Sequence, residues 1–459
     1  MAQWIVSHWP DCIRFNWNDF ENSDKLLELL PQMVTFNESS LFDEYDFTPR
    51  QWIDRLKSSE ETDARFFIKR MEALYQNDFM HESVHDRIDP PYEILPGDAT
   101  PETSTCRYLK ARKVFQSSPL RTARPALPET LIDKTYSIRK LSASAGKNLI
   151  NLARTTMITH ERDLDAFSYG NKHDVRLVEF NDGLQIACIG MTPERRYLLH
   201  ASYGFLNMRN GMPIGYFPVN TLFNTANVAF NIFSAFRGAE AAIIYCNNLT
   251  LAHQLLDAKT FIIDPYQLGH NNKEGLESGV WWFYYKLGFR PTDLAVRKIL
   301  KRELAKMHRN SKYCSNLETL NKLASENLYF RVGNHPNENN ILENLDYIPT
   351  GISNYLANRF GADRETAIQE CLAESTKAVG IRSLRYLSLG QREAWRRWSP
   401  MLLNLGKISR WSKKDKAALA KIVSAKGGKQ EDIYLDLINK HKRLKQAILK
   451  FAFNSEPNY

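Results

Sequence analysis

The sequence lacks closely spaced cysteines, long apolar runs and a basic, apolar leader. Its six cysteines lie dozens of residues apart and form no Cys-x-x-Cys pair, which argues against a thiolate zinc site and a redox dithiol. No stretch approaches the roughly 20 apolar residues that a membrane-spanning helix needs, and the residues after Met1 do not have the pattern of a secretory signal. Because isolated thiols suit a reducing compartment, we expect a cytoplasmic chain with no membrane span and no metal site.

The composition is that of a folded protein. Of its 459 residues, 43% are hydrophobic and 25% are charged, which supplies enough apolar side chains for a core and excludes a wholly disordered or fibrous chain. At about 100–200 residues per domain, this length predicts two to four domains.

Charge is distributed unevenly along the chain. Residues 1–100 contain 9 Lys and Arg against 20 Asp and Glu, a net charge of −11, whereas residues 377–450 contain 19 against 5, a net charge of +14. A basic end of this kind predicts RNA or another polyanion as a partner, or docking of the acidic end onto the basic end. A solvated basic helical surface explains the same charges without a partner.

Apolar spacing and prolines divide the chain into four regions. Residues 1–88 form an acidic helical region, and seven prolines between Pro90 and Pro128 mark residues 89–129 as a linker. Residues 130–310 form an α/β domain that begins with a helix, and residues 311–459 form a basic helical domain. The helices expected in the second half of the chain and at the start of the α/β domain span 130–159, 302–308, 357–379, 388–405 and 413–451, the last broken at Gly427-Gly428.

The middle of the chain has the pattern of strands and turns. Asp182-Gly183 and Asn210-Gly211 are strong hairpin signals between apolar runs. The predicted elements are a hairpin of 175–180 and 184–189, a hairpin of 203–208 and 213–217, a strand at 228–233, a helix from 237 to 256, a strand at 260–263 and a helix at 274–287. We therefore expect an α/β (α+β) fold class, with a mixed sheet in the middle flanked by mostly helical N- and C-terminal regions.

Small residues occupy the point where the strand at 228–233 turns into a helix. Gly238, Ala239, Ala241 and Ala242 leave the N–H groups of the helix start accessible, which suits a bound diphosphate. The neighbouring Arg237 adds a positive charge that suits phosphate. Close packing at a helix start is the alternative explanation for the same small residues.

The next helix ends in a recognisable motif. Gly288 follows it as an ordinary left-handed cap, and the aromatic residues 281–283 alone indicate a core. Together with the small-residue loop, however, Tyr284, Gly288 and Phe289 resemble the Gcn5-related N-acetyltransferase superfamily, whose signature combines such a loop with a Tyr-x-x-x-Gly-Phe helix end. The order of elements is also similar, and the resemblance covers about residues 170–295.

This resemblance implies acetyl-CoA, or another acyl-CoA, as co-substrate and an amine as acceptor, with no metal. It also implies a role for each matching residue. Ile232 and Phe233 end the strand that pairs with the pantetheine arm; Arg237, Gly238, Ala239, Ala241 and Ala242 cradle the diphosphate; Asn272 lies beside the pantetheine; and Tyr284 protonates the departing thiolate.

The sequence departs from the family pattern at two points. Glu240 stands where the loop has a glycine, and its carboxylate repels a diphosphate unless it turns away or pairs with a cation. Many members carry a glutamate as general base on the strand before the loop, where this chain has Asn227 and Asn231. Asp264 or His270 is the substitute that we expect as base, although Asp264 is also an ordinary turn residue before a proline.

Three functions are compatible with these residues. The first is an acyl-CoA-dependent N-acyltransferase that acts by direct attack, with Tyr284 as general acid. The second is a transferase of the same superfamily that uses aminoacyl-tRNA, with the basic C-terminal segment along the RNA phosphates. The lysines and arginines expected there are Lys407, Arg410, Lys413, Lys414, Lys416 and those between Lys440 and Lys445. The third is a non-catalytic binding module.

Overall fold

A computed structural model describes residues 1–74, 78–97, 100, 108–115, 117, 125, 127, 131, 136–238, 240–333, 342 and 345–455. The chain divides into two compact units, Met1–Cys106 and Arg107–Tyr459. Much of the segment 89–129, predicted as a linker, lies outside the described residues. None of the described helices is both long and apolar enough to cross a lipid bilayer.

The first unit is mostly helical, as expected for residues 1–88. Its helices are α1 (Ala2–His8), α2 (Ser23–Leu29), α3 (Leu41–Glu44), α4 (Pro49–Leu56), α5 (Asp63–Leu74) and α6 (Asp78–Ile88). The sequence explains α4 directly, because Thr48 and Gln51 form a reciprocal capping box and Pro49 occupies the first helical position. The unit also contains an antiparallel ribbon that the helical pattern did not predict, between β1 (Ile13–Phe15) and β2 (Tyr92–Ile94).

The second unit is built on a large mixed sheet. Its strands are β3 (Tyr136–Lys140), β4 (Gly170–Phe180), β5 (Leu184–Met191), β6 (Ala201–Arg209), β7 (Met212–Leu222), β8 (Thr225–Val228), β9 (Asn231–Ile232), β10 (Thr260–Ile263), β11 (Arg290–Pro291) and β12 (Leu328–Arg331). They lie in the order β11-β12-β10-β8-β7-β6-β5-β4-β3, with β9 paired to β7. Among the described strand pairs, β8 and β10 are parallel and the others are antiparallel.

Both predicted hairpins are confirmed. β4 and β5 flank Asp182-Gly183, and β6 and β7 flank Asn210-Gly211, where the φ angles are 51° and 84°. Positive φ at both central residues is what the favoured two-residue hairpin turn requires, and Asn-Gly adopts it at low cost.

The helices of the second unit cover the sheet and make up the C-terminal part of the unit. They are α7 (Ala143–Thr159), α8 (Asp165–Ser168), α9 (Ala241–Leu256), α10 (Pro265–Leu268), α11 (Lys273–Ser278), α12 (Val280–Lys286), α13 (Leu294–Arg309), α14 (Leu317–Leu323), α15 (Tyr347–Phe360), α16 (Arg364–Val379), α17 (Leu389–Asn404), α18 (Lys413–Lys426), α19 (Asp432–Lys440) and α20 (Lys442–Asn454). The coarse prediction of a mixed α/β structure with a large sheet and helical ends is therefore confirmed.

Both faces of the sheet are buried. On β5, Ile186 and Cys188 pack with the α9 side, whereas Ala187 and Ile189 pack with α7 on the other face. Because successive side chains of a strand point to opposite faces, a strand covered on both sides becomes a continuous apolar run. This is why β5 is buried along its whole length.

The structure corrects two predicted elements around the sheet. The helix expected at 130–159 is instead the strand β3 followed by α7, with Ser142 capping the helix start. The region after residue 293, expected to be helical, contributes β12 to the sheet between β10 and β11. β12 has only four residues, with alternating burial. An alternating pattern this short cannot be recognised in a sequence region that otherwise reads as helical.

Three helices predicted as continuous are interrupted. The helix expected at 274–287 is split into α11 and α12 at Gly279, which has a φ of 64°. The helix expected at 357–379 is divided between α15 and α16 at Gly361. The break at Gly427-Gly428 is confirmed, but a second one at His441 separates α19 from α20, because the His441 side chain caps α20.

Candidate functional site

β8 and β9 lie on one line beside β7, but only the first part of this line pairs with β10 on its other side. β8 pairs with β10 only as far as Asn227, opposite Ile262. β9 continues β8 in unchanged register against β7, so the strand predicted at 228–233 lies on the line of both. The ladder is interrupted opposite Pro218, which has no N–H to donate. Past Asn227, no described strand pairs with the edge that faces away from β7.

Backbone groups of this edge point into the resulting gap. Ala229 N–H donates to Pro218 O at 3.3 Å, and Phe233 N–H donates to Ile214 O at 3.0 Å, so both face β7. Because alternate residues of a strand turn their N–H groups to opposite sides, Phe230 N–H faces the gap. No described residue accepts a hydrogen bond from it, which leaves an unused donor on this edge.

The loop after β9 is open at the predicted diphosphate position. A Cβ added to Gly238 would have nothing within 4 Å, and α9 begins without a side-chain cap. Ala241 is half-buried, whereas the Ala242 side chain packs in the core and leaves only its backbone for a ligand. Ala239 lies outside the described residues.

Arg237 is held in place by two partners. Its Nε donates to Ile232 O at 3.2 Å, and its Nη1 lies 2.6 Å from Glu274 Oε1 in α11. More than half of each side chain of this ion pair is exposed, and exposed pairs contribute little free energy. The guanidinium can therefore exchange the carboxylate for a bound anion at low cost.

The Glu240 carboxylate has a cationic partner that sequence analysis missed. Glu240 Oε2 lies 2.9 Å from Arg209 Nη2 at the end of β6, and the same arginine lies 3.1 Å from Asp182. The negative charge expected to repel a diphosphate is thus compensated from a neighbouring strand. Sequence offers no local signal for this pair, because 31 residues separate its members.

Tyr284 and Asp264 come together at the end of β10. Tyr284 in α12 is 2% exposed, and its ring packs on Tyr245 and Phe289 at centroid distances of 5.5 and 5.9 Å. Burial and the nearby Asp264 carboxylate raise the pKa of Tyr284, so that its hydroxyl stays protonated. The Asp264 carboxylate caps α10 by accepting a hydrogen bond from Gln267 N–H at 3.0 Å.

The other two predicted polar residues are used differently. Asn272 caps α11: its Oδ1 accepts from Gly275 N–H and its Nδ2 donates to Tyr266 O, both at 3.1 Å. This amide is therefore occupied by local hydrogen bonds. His270 is half-buried, and its Nδ1 has no hydrogen-bond partner among the described residues.

A histidine that the sequence did not single out lies beside the strand end. The His160 ring follows α7 and stacks on the Phe233 ring with centroids 3.6 Å apart and planes 9° apart. Its Nε2 is buried and has no partner among the described residues. Burial, assisted by Arg162, lowers the pKa of His160, which keeps the imidazole neutral and able to accept a proton at pH 7.

No family model, curated protein or solved structure matches this chain. Within the described parts of the chain, no three or more His, Cys, Asp and Glu side chains come together as a metal site would require. The geometry of the gap, of the open loop and of the residues around Tyr284 therefore carries the functional argument.

Proposed function

We propose that residues 170–295 bind an acyl-CoA, most simply acetyl-CoA, and transfer its acyl group to an amine. The observation that carries this proposal is the strand β8–β9, which continues past the end of its pairing with β10 at Asn227 and leads into the open loop at Gly238. A parallel strand pair in which one strand ends while the other continues supports our assignment of the sheet to the Gcn5-related N-acetyltransferase fold.

The gap and the loop suit the two ends of the cofactor. The extended pantetheine arm can add as a short strand does at Phe230, whose N–H has no acceptor among the described residues, whereas the next outward-facing carbonyl, Ile232 O, already accepts a hydrogen bond from Arg237. Its diphosphate then reaches the loop, where Arg237 and the N-terminus of α9 favour negative charge. Ala241 N–H and Ile243 N–H donate to Gly238 O and Glu240 O, so the donor that α9 offers there is Ala242 N–H. The Arg209–Glu240 pair reduces the repulsion expected from this carboxylate, with Arg209 shared between Glu240 and Asp182.

Acyl transfer needs a hydrogen-bond donor for the oxyanion, a general acid for the thiolate and a general base for the amine. The amine nitrogen attacks the thioester carbonyl carbon, and Phe230 N–H stabilises the oxyanion that forms. The carbon–sulfur bond then breaks, and the thiolate takes the proton of Tyr284. The proton that the amine loses goes to Asp264, or to His160 on the other side of the strand end.

Binding of acetyl-CoA to Gly238 variants tests this proposal. Gly238→Trp should abolish binding in calorimetry because the indole fills the space that the diphosphate needs, and it should leave the fold intact because that space is open. Gly238→Ala is the matched control and should bind like the unchanged protein.

Other outcomes would point elsewhere. Normal acetyl-CoA affinity in Gly238→Trp would refute the loop assignment. If the unchanged protein binds no acyl-CoA but binds aminoacyl-tRNA, the superfamily's tRNA-dependent reaction replaces the proposal. If it binds neither, a non-catalytic binding module remains.

A further inference from the structure

The carboxylates of the basic C-terminal helices are all engaged. Residues 377–450 contain five, and each lies in an ion pair with a lysine or arginine. The pairs include two of the cations expected along RNA, since Lys440 contacts Asp436 and Arg443 contacts Asp415. The remaining cations are therefore not balanced by acidic residues of the same region.

Two of the unbalanced cations line a cleft. The cleft has a volume of about 650 Å³, and its lining includes Lys421 and Lys429 together with the apolar Ile433 and Leu437. Its other polar lining consists of hydrogen-bonding groups, among them His173, and none of its described lining residues is acidic. Both lysines are exposed, and neither has an ion-pair partner among the described residues.

The turn that carries Lys429 is rigidly attached to the sheet. Arg196 Nη1 donates to Lys426 O and Gly428 O at 2.6 and 2.7 Å, and Asn171 Nδ2 donates to Lys429 O at 2.8 Å. These buried or half-buried hydrogen bonds fix the backbone on both sides of the lysine. A ligand bound there would not have to order this backbone, and the cost of ordering falls on the lysine side chains.

An exposed aromatic ring lies beside the start of α17, which also borders the cleft through Gln391. Tyr386 is 90% exposed, and Leu389, three residues further on, is 75% exposed. Arg382 and Arg385 lie in the same exposed segment. Exposed aromatic and cationic side chains next to each other are typical of surfaces on which unpaired bases stack.

We propose that this surface binds a single-stranded nucleic acid, with phosphates at Lys421 and Lys429 and a base stacked on Tyr386. The concave shape and the amide and imidazole groups of the cleft suit a strand better than a lipid surface. The site is separate from the proposed acyl-CoA site, because His173 lies near the start of β4, whereas Glu240 of the loop contacts Arg209, which also pairs with Asp182 just after the other end of β4.

Fluorescence anisotropy with oligouridine and with oligothymidine, each of about 12 nucleotides, tests the proposal and distinguishes RNA from DNA. If about four phosphates are contacted, the slope of log K against log salt should be about −2.8, so that binding weakens about 50-fold between about 50 and about 200 mM salt. Lys421→Ala/Lys429→Ala should reduce the slope by about 1.4. Tyr386→Ala should weaken binding about tenfold with an unchanged slope.

Lys298→Ala/Lys301→Ala is the matched control, because these exposed lysines of α13 lie outside the basic region. It should bind like the unchanged protein. The proposal is overturned if neither oligonucleotide binds at about 50 mM salt, or if both double variants bind equally. It is also overturned if vesicles containing phosphatidylserine bind this surface and the oligonucleotides do not.

Discussion

Replacement of Glu431 by glutamine is expected to be among the most destabilising single charge changes in the second unit. Glu431 lies between two cations, with Oε1 2.6 Å from Lys426 Nζ and Oε2 3.5 Å from Arg196 Nε. All three side chains are at most 4% exposed. Glu431→Gln keeps the shape but removes the carboxylate that lies between two buried positive charges.

The geometry sets the expected size of the effect. Breaking a buried pair costs about 3–5 kcal/mol, because the remaining charge has lost both water and its partner. Lys426→Met should cost less, about 1–3 kcal/mol, since Glu431 keeps Arg196 and the main loss is that of hydrogen bonds to Glu431 and to two carbonyl groups. Glu431→Gln should therefore be the more damaging change.

Urea unfolding followed by circular dichroism and tryptophan fluorescence measures both free energies. Asp436→Asn is the control, because its pair with Lys440 is more than half exposed and should contribute less than about 1 kcal/mol. The reasoning fails if Glu431→Gln is as stable as this control. It also fails if Lys426→Met is the less stable of the two buried variants.

Two further predictions concern Tyr284 and Lys426. Tyr284→Phe should lower turnover about 10–100-fold, measured as release of free thiol with an acceptor amine found by screening, and should leave acetyl-CoA affinity unchanged; an unchanged rate would remove Tyr284 from the chemistry. Burial lowers the pKa of Lys426 to about 8, against about 10.4 in an unfolded chain. Between these values the unfolded state binds more protons, so the free energy of unfolding should rise with pH relative to Lys426→Met; a difference that stays flat across this window would contradict the shift.

Local signals predicted the parts of the fold that depend on neighbouring residues. Asp182-Gly183 and Asn210-Gly211 define their hairpins because the turn conformation is a property of those residues themselves. Gly279 was less informative, since a glycine in a helical pattern does not reveal whether its φ is positive. β12 escaped prediction because its four residues become a strand only through pairing with β10.

The residues of the candidate site were likewise predictable only where a short local motif encodes them. The small-residue loop and Tyr284 are encoded by short motifs; the loop follows β9, and Tyr284 lies near Asp264 at the end of β10. Arg209 and His160 were missed because each reaches the site from an element distant in sequence. Asn272 has a local role that the resemblance did not indicate, since its amide caps α11, and its place beside the pantetheine stays a prediction.

The position of β12 ties the two halves of the second unit together. It is hydrogen-bonded to β10 on one side and to β11 on the other, although β11 precedes it in the chain. A protein shortened to end at residue 310 would expose the edge of β10 beside Asp264 and leave β11 without a partner. The segments before and after residue 310 should consequently be expressed together, since neither contains all the strands of the sheet when the chain is cut between them.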